Sequence, residues 1–189
     1  MRILYLILII FFTSCSEKNS AQTKNYMKMK YFESENFENL KDAYLIKSVE
    51  IDKQKINIDL NFDKTPSDDE LITLNLFLNG LSKTIKVNQI ETRKEFENPE
   101  ENTVKEYISH HLAEIPKNEL NQLIDSNSKT KSDEEKLFEK FKLTRIGIYP
   151  QDHKQYAIFD YTIGEKFTQY LLVIITDKDG KIIEITIES

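Results

Sequence analysis

The sequence predicts an α+β fold, and three observations support that prediction. Alternating apolar residues near the amino terminus indicate a β-hairpin. Periodic apolar residues in the middle indicate helices, and four short apolar runs near the carboxy terminus indicate an antiparallel β-meander of about four strands. Because strand-like runs stand on both sides of the helical block, we expect mostly antiparallel pairing with helices packed against the sheet. With 189 residues, 39% of them hydrophobic, the chain is long enough to bury one core.

The amino-terminal hairpin is predicted within residues 43–63. In its second strand Ile56, Ile58, Leu60 and Phe62 alternate with polar residues, which predicts one buried face. The short run 29–32 predicts a further edge strand.

The helical block begins with a capping signal. Ser67 and Glu70 fit the S-x-x-E capping box, and Gly80 suits the end of a helix. These residues predict one helix over about 68–79 and a second over 82–96.

Two further helices are predicted downstream. The third carries an apolar stripe at spacings of three and four, formed by Val104, Tyr107, Ile108, His111, Leu112 and Ile115. Pro116 ends that helix, and 117–124 adds a further turn or two. Ser132 with Glu135 is a second capping box, which opens a helix to about residue 141.

The meander is predicted from the runs 143–149, 155–163, 169–176 and 181–187. The third run is apolar on both faces, which predicts a central position in the sheet. Gly180 supplies the positive φ of a tight hairpin before the last strand, in which Ile183, Ile185 and Ile187 should share one face.

The amino-terminal segment has the order of an export signal. Arg2 precedes an unbroken apolar run over 3–12, which is too short to span a bilayer comfortably. Small residues then lead to Cys15, the only cysteine in the chain. This order resembles the lipobox of bacterial lipoproteins, although Phe12 stands where leucine is usual. The alternative is a plain signal peptide with an incidental cysteine.

The resemblance implies three segments. Residues 1–14 are a signal peptide, residues 15–28 are the lipidated cysteine and a flexible spacer, and residues 29–189 are a single α+β domain. We therefore expect a lipid anchor in the bacterial cell envelope, on the periplasmic or surface side. Ser16, in place of the aspartate that marks inner-membrane retention in some bacteria, slightly favours the outer membrane.

A second resemblance covers residues 31–189. It is carried by YFESENFENL, KINIDLNFD and YISHHLAEI, and most specifically by the carboxy-terminal FDYTIG, YLLV and closing ES. These segments resemble an uncharacterised bacterial family known as domain of unknown function two-thousand-and-four. The resemblance implies a shared domain and supplies no activity. The export signal departs from that family, which consists chiefly of leaderless proteins.

Composition and spacing exclude several kinds of site. The formal charge is −6 and no basic stripe is present, which argues against nucleic-acid binding. Adjacent His110 and His111 point about 100° apart on a helix, so they are poorly placed to share a metal ion. We expect His111 to be a hydrogen-bonded, semi-buried residue, and His110 to form a surface ion pair with Glu106 or Glu114. No cofactor motif is present.

The best catalytic candidates are Asp152, His153 and Asp160, near a turn of the meander. Tyr149, Tyr156 and Tyr161 accompany them. A carboxylate that orients a histidine is the start of general acid–base machinery. No serine or cysteine nucleophile has a recognisable elbow, and Asp and His are also ordinary turn residues.

We therefore expect a non-catalytic interaction or binding module in the cell envelope, such as one that protects against a toxin, with a protein partner. The alternative is a small envelope hydrolase that uses the region of Asp152, His153 and Asp160. A third possibility is a small apolar ligand between helices and sheet.

Overall fold

The computed structural model describes residues 28–35, 37, 40, 43–124 and 130–189. Within these ranges the chain forms six strands and four helices. In order they are β1 (Ala43–Ile51), β2 (Gln54–Phe62), α1 (Asp68–Glu97), α2 (Thr103–Glu114), α3 (Lys117–Leu123), α4 (Asp133–Phe138), β3 (Lys142–Ile148), β4 (Ala157–Thr162), β5 (Leu171–Thr176) and β6 (Ile182–Glu188). The predicted α+β class, with strands at both ends and helices between them, is confirmed.

All six strands belong to one mixed sheet in the order β1-β2-β3-β4-β5-β6. The strands β2 and β3 pair in parallel, and every other neighbouring pair is antiparallel. The four helices lie between β2 and β3 in the chain, and a parallel pair needs a long connection of this kind. The predicted four-stranded antiparallel meander is present as β3 to β6, but the sheet has six strands and not four, because the parallel pair of β2 with β3 joins the hairpin to it.

The hairpin has the predicted buried face. Ile56, Ile58 and Leu60 are almost fully buried. Asp52 and Lys53 form the two-residue loop with φ of 50° and 67°. Such a loop matches the right-handed twist of paired strands.

Helix α1 is continuous over thirty residues, so the predicted break at Gly80 was wrong. Gly80 does not have the positive φ of a glycine cap. The buried stripe of Leu74, Leu78, Leu81 and Ile85 runs past it without interruption. Burial of that stripe outweighs the cost of about 1 kcal/mol for glycine inside a helix. The capping box at Ser67 is confirmed, because Glu70 N–H donates to Ser67 Oγ at 3.3 Å and Ser67 N–H donates to Glu70 Oε2 at 2.7 Å.

The other helices match the predictions in part. Helix α2 buries Val104, Tyr107, Ile108 and His111, as the spacing predicts. Helix α4 ends at Phe138, about one turn before the predicted end. The capping box predicted at the start of α4, from Ser132 and Glu135, is half formed.

At that half-formed box, Glu135 N–H donates to Ser132 Oγ at 3.2 Å. The Glu135 carboxylate is instead paired with Arg93 of α1 at 2.7 Å, so it does not reach back to the backbone of Ser132.

Two strand predictions need correction. Residues 29–32 form a turn, closed by Phe32 N–H donating to the Met29 carbonyl at 2.9 Å, and not an edge strand. The side chains of Met29 and Phe32 are both buried in the core, which accounts for the apolar character of this run. In β6 a register shift opposite Ile175 and Thr176 leaves Ile183 exposed.

Ile182 packs against the core in place of Ile183, together with Ile185 and Ile187. The apolar strand β5 is flanked on both sides, by β4 and β6, but it is the fifth strand and not a central one.

Helix α1 lies across one face of the sheet. Its buried residues share one core with β2, β3, β4 and β5. Phe77 meets Tyr156 edge to face at 5.1 Å between ring centroids. Gly180, with φ of 77°, lies so close to Thr84 that an added Cβ would stand 2.7 Å from Thr84 Oγ1. Among the described residues, no helix has both the length and the apolar content needed to cross a bilayer.

Candidate functional site

An open groove runs along α2 beside the loop between β4 and β5, and it is called the α2 groove below. It consists of two adjoining depressions of about 820 Å³ and about 240 Å³. Both are lined by His110, His111 and Tyr170. The His110 and Tyr170 rings meet edge to face at 5.2 Å and form an aromatic wall.

His111 lies at the base of the α2 groove and makes two hydrogen bonds there. Its Nδ1 lies 2.6 Å from the Tyr107 carbonyl, which can only accept, so Nδ1 carries the proton and donates. Its Nε2 therefore accepts from the Thr168 hydroxyl at 2.7 Å. The Thr168 oxygen in turn accepts from the Tyr170 N–H at 2.9 Å. The chain of donors and acceptors is complete only with a neutral imidazole.

Burial is the main reason that the pKa of His111 is lowered from its ordinary value. The hydrogen bond to the Tyr107 carbonyl opposes this shift, and the neighbouring His110 adds to it. His111 is thus a structural residue that fixes the loop between β4 and β5 to α2. The prediction of a hydrogen-bonded histidine is confirmed, and His111 is more deeply buried than the semi-buried position expected.

The rim of the α2 groove is acidic. Its lining includes Glu101, Glu106 and Glu114, and it includes no lysine or arginine. Within the described ranges none of these three carboxylates forms an ion pair, so the predicted pair between His110 and a glutamate is not present. The rim therefore offers uncompensated negative charge beside an aromatic wall.

A cluster of charged side chains lies on the face of the sheet opposite α1. Arg145 on β3 donates from Nε and Nη2 to the two oxygens of Asp59 at 2.7 and 2.9 Å. It also donates from Nη1 to Asp160 at 2.9 Å. Asn61 donates to Asp59 at 2.8 Å, and the Tyr149 hydroxyl accepts from Arg145 at 3.3 Å.

This cluster is an internal ion pair network and not a free acid–base pair. Burial raises the pKa of Asp160, and the hydrogen bond from Arg145 opposes that shift. Burial alone would lower the pKa of Arg145, but its bonds to Asp59 and Asp160 outweigh burial and raise it. Both carboxylates are thereby held to one permanent cation.

The three catalytic candidates do not form one constellation. Asp160, on β4, is held by Arg145 of β3. Asp152 lies in the exposed loop after β3, where its carboxylate accepts from Lys154 and Gln155 N–H at 2.7 and 3.1 Å. These backbone donors hold the pKa of Asp152 below its ordinary value. Among the described residues, His153 hydrogen-bonds neither aspartate.

The accompanying tyrosines divide between the two faces of the sheet. Tyr149 contacts Arg145, whereas Tyr156 and Tyr161 are buried in the core on the side of α1. Burial raises the pKa of both buried phenols, although Asn88 partly counters this at Tyr161. Neither phenol is placed to serve as an acid or a base beside Asp152.

A resident metal ion has no evident site in the part of the chain that the structure describes. No group of three or more His, Cys, Asp or Glu residues there is arranged to hold an ion. Cys15, the predicted lipidation site, lies outside the described residues, as do residues 1–14 and nearly all of the predicted spacer 15–28.

Sequence patterns alone do not reveal the Arg145 cluster or the α2 groove. Arg145 and Asp59 are 86 residues apart, and only the parallel pairing of β2 with β3 brings them together. Tyr170 and Thr168 stand in a polar loop with no motif. The one available signal was the position of His111 in the apolar stripe of α2.

Comparisons of this chain with protein-family models, with curated proteins and with solved structures give no match. The resemblance to the uncharacterised bacterial family therefore stays a prediction.

Proposed function

We propose that this protein is a membrane-anchored, non-catalytic binding module of the bacterial cell envelope, and that its α2 groove receives a basic segment of a protein partner. The observation that carries the proposal is the composition of the groove. An aromatic wall stands beside three uncompensated carboxylates, and no cationic side chain lines it.

The chemistry of the wall and the rim defines the occupant. A lysine or arginine side chain gains from the carboxylates and from the faces of aromatic rings. Its aliphatic stem, or a neighbouring apolar residue, covers Tyr170 and Ile187. Anionic lipid headgroups and nucleic acids would be repelled by the same rim.

The lipid anchor is the second part of the proposal. A cysteine directly behind a short apolar run and small residues supports acylation at Cys15. Acyl chains contribute about 0.8 kcal/mol for each buried methylene, so two or three chains hold a protein stably at a membrane surface. Among the residues that the structure describes, no contact favours the alternative of a hydrolase, because Arg145 and backbone amides already engage Asp160 and Asp152.

The groove is tested by calorimetric titration of the full-length protein with short peptides in which lysine or arginine stands beside an aromatic residue. We expect these peptides to bind and to bind more weakly as salt is raised, because screening acts on exposed charges. Peptides with glutamate in place of the basic residue should not bind. Glu106→Gln and Glu114→Gln should each weaken binding about two- to five-fold.

Glu50→Gln is the matched control, because Glu50 is an exposed carboxylate on β1, outside the α2 groove. Equal binding of acidic and basic peptides, or unchanged binding in both groove variants, would contradict the proposal.

The anchor is tested by partition between detergent and aqueous phases. We expect the acylated wild-type protein to enter the detergent phase. The Cys15→Ala protein is the unacylated form, and we expect it to keep an uncleaved amino terminus and therefore to have a higher mass. A wild-type protein of unmodified mass would refute acylation without bearing on the groove.

A further inference from the structure

Strand β6 is an outer strand of the sheet, and no described strand pairs with its outer side. The α2 groove reaches β6 at Ile187. A further depression of about 350 Å³ lies between β6 and the last turns of α1, and its lining includes Ile183, Glu184 and Ile185. An outer strand that borders a groove is a template to which an extended segment of another chain can add.

The register of the last hairpin shows which backbone groups of β6 point outward. Asp177 N–H donates across the hairpin at 3.0 Å, so its backbone faces β6. Backbone groups point alternately to the two sides of a strand, so Val173 also faces β6, where its partner is Thr186. Ile185 and Ile187, on either side of Thr186, therefore direct their N–H and C=O groups away from β5. An added strand would find two donors and two acceptors there.

The side chains of β6 differ in chemistry between the two faces of the sheet. Ile185 and Ile187 pack against the core on the side of the helices. Glu184 and Glu188 lie on the opposite face and are exposed. Because side chains alternate along a strand, an added strand would place every second residue beside the isoleucines and the others beside the glutamates. The matching sequence alternates apolar and basic residues.

The helical wall beside β6 is also acidic. The last turns of α1 contribute Glu91 and Glu95, and the α2 groove contributes Glu101 and Glu106. Among the described residues, the one lysine or arginine that lines either depression is Lys94, which is already paired with Glu91 at 2.7 Å. Basic side chains of an added strand would therefore meet net negative charge on both faces of the sheet.

A second copy of this chain is a poorer occupant of this edge than a basic segment. An antiparallel pair of β6 strands that sets Ile185 against Ile187 also sets Glu184 against Glu188. Like charges directly opposite each other destabilise a strand pair. A basic strand has no such conflict, and it would cover Ile183, which is 52% exposed.

We propose that the basic segment of the partner binds as an added β-strand along β6, with apolar and basic residues in alternation. This inference rests on the proposed function, because Ile187 of β6 lines the α2 groove. It adds a requirement that the groove alone lacks, since the order of the residues and not only their charge then decides the affinity. Main-chain hydrogen bonds supply affinity in this mode of binding, and alternate side chains supply specificity.

Calorimetric titration of the full-length protein with two peptides of equal composition tests the order of residues. Lysine and valine alternate in one peptide, and all lysines precede all valines in the other. We expect the alternating peptide to bind about ten-fold more tightly, because its lysines and valines fall on opposite faces of the added strand. Equal binding of the two peptides would overturn strand addition and leave the basic groove standing. An acidic peptide that binds equally well would instead refute the groove itself.

Backbone N-methylation of the alternating peptide tests the pairing. Methyl groups on one alternate set of residues remove the N–H donors that face β6, whereas methyl groups on the other set point to solvent. We expect one set to abolish binding and the other to change it less than about two-fold. Similar losses from both sets, or from neither, would overturn the proposal.

Variants on the two outer strands test the location. Glu184→Gln should weaken binding of the alternating peptide about two- to five-fold, because its carboxylate neighbours the added strand. Glu50→Gln is the matched control, because Glu50 is an exposed carboxylate on β1 at the other edge of the sheet. Equal effects of the two variants would place the peptide elsewhere and contradict the proposal.

Amide hydrogen exchange, measured by NMR on the full-length protein, reports on the edge directly. Exchange at Ile185 and Ile187 should slow when the alternating peptide is added, because their N–H groups then donate to it. Unchanged exchange at both residues would overturn the proposal. Amides that are already protected without the peptide would do the same, because another segment or a second copy would then cover the edge.

Discussion

Replacement of Arg145 by methionine removes the only cation of its cluster while it keeps a side chain of similar length. Two carboxylates are left behind, with side-chain exposures of 0% for Asp59 and 8% for Asp160. Asn61 still donates to Asp59, but within the described ranges no other cation is paired with either carboxylate. The variant therefore isolates the cost of burying unpaired carboxylates.

The expected loss follows from the exposure of the three groups. Breaking a fully buried ion pair costs about 3–5 kcal/mol, because the remaining charge has lost both water and partner. The Arg145 side chain is 37% exposed, so water can partly replace it after the substitution. We expect Arg145→Met to lower the free energy of unfolding at pH 7 by about 2–3 kcal/mol.

The loss should depend on pH, with a definite sign. Burial raises the pKa of Asp160, and without Arg145 nothing opposes this shift above the unfolded value of about 4. At a pH between its unfolded and its raised folded-state pKa, a carboxyl group is protonated in the folded protein and still ionised in the unfolded chain. The penalty is therefore full above the raised pKa and shrinks as the pH falls toward about 4.

Urea unfolding followed by circular dichroism measures the effect, since the chain has no tryptophan. A loss of about 2–3 kcal/mol moves the midpoint by about 1–1.5 M for an m-value near 2 kcal/mol/M. Lys178→Met is the control, because its pair with Asp179 is exposed and should contribute less than about 1 kcal/mol. Adding Asp59→Asn to Arg145→Met should restore part of the loss. A deficit below 0.5 kcal/mol, or one that does not change with pH, would refute the reasoning.

Two further predictions concern His111 and the glycines Gly180 and Gly80. Lowering the pH below about 6.5 should destabilise the wild-type protein, because the pKa of His111 is lowered in the folded state and the unfolded state takes up the proton first. His111→Gln should flatten this dependence in urea titrations; a curve unchanged from that of the wild-type protein would contradict the assignment. Gly180→Ala should cost about 1–3 kcal/mol because of its positive φ and the contact with Thr84, whereas Gly80→Ala should stabilise by about 0.5–1 kcal/mol. Thermal melts compare the two alanine variants, and a loss at Gly80 would contradict a continuous α1.

Local patterns predicted most of the secondary structure. The alternation of Ile56, Ile58 and Leu60 identified a strand, and the spacing around Tyr107 identified α2. These signals act over a few residues, because they report which side of one element is buried. The error at Gly80 has the same origin: glycine is a strong local signal for a helix end, but the buried stripe of α1 continues across it.

Such local patterns could not predict which strands and loops come together at the candidate sites. Asp59 is one of the polar residues that alternate with Ile56, Ile58 and Leu60, so the pattern alone predicts an exposed side chain, but the structure buries it against Arg145. Nothing near Asp59 in sequence indicates that β3 will lie beside β2. The α2 groove likewise depends on the β4–β5 loop meeting α2, where Thr168 hydrogen-bonds His111.

The Arg145 cluster also explains why the two halves of the sheet join in one register. Arg145 faces Asn57 on β2 and Asp160 on β4, and it reaches Asp59 diagonally. Sliding β3 by one residue would exchange its two faces and place the guanidinium among the apolar residues under α1. Such a burial of an unpaired charge costs far more than an apolar mismatch. A buried ion network is a weak source of net stability. Here, however, it disfavours an incorrect register between β2 and β3, the parallel pair of strands. The whole helical block separates these two strands in the sequence.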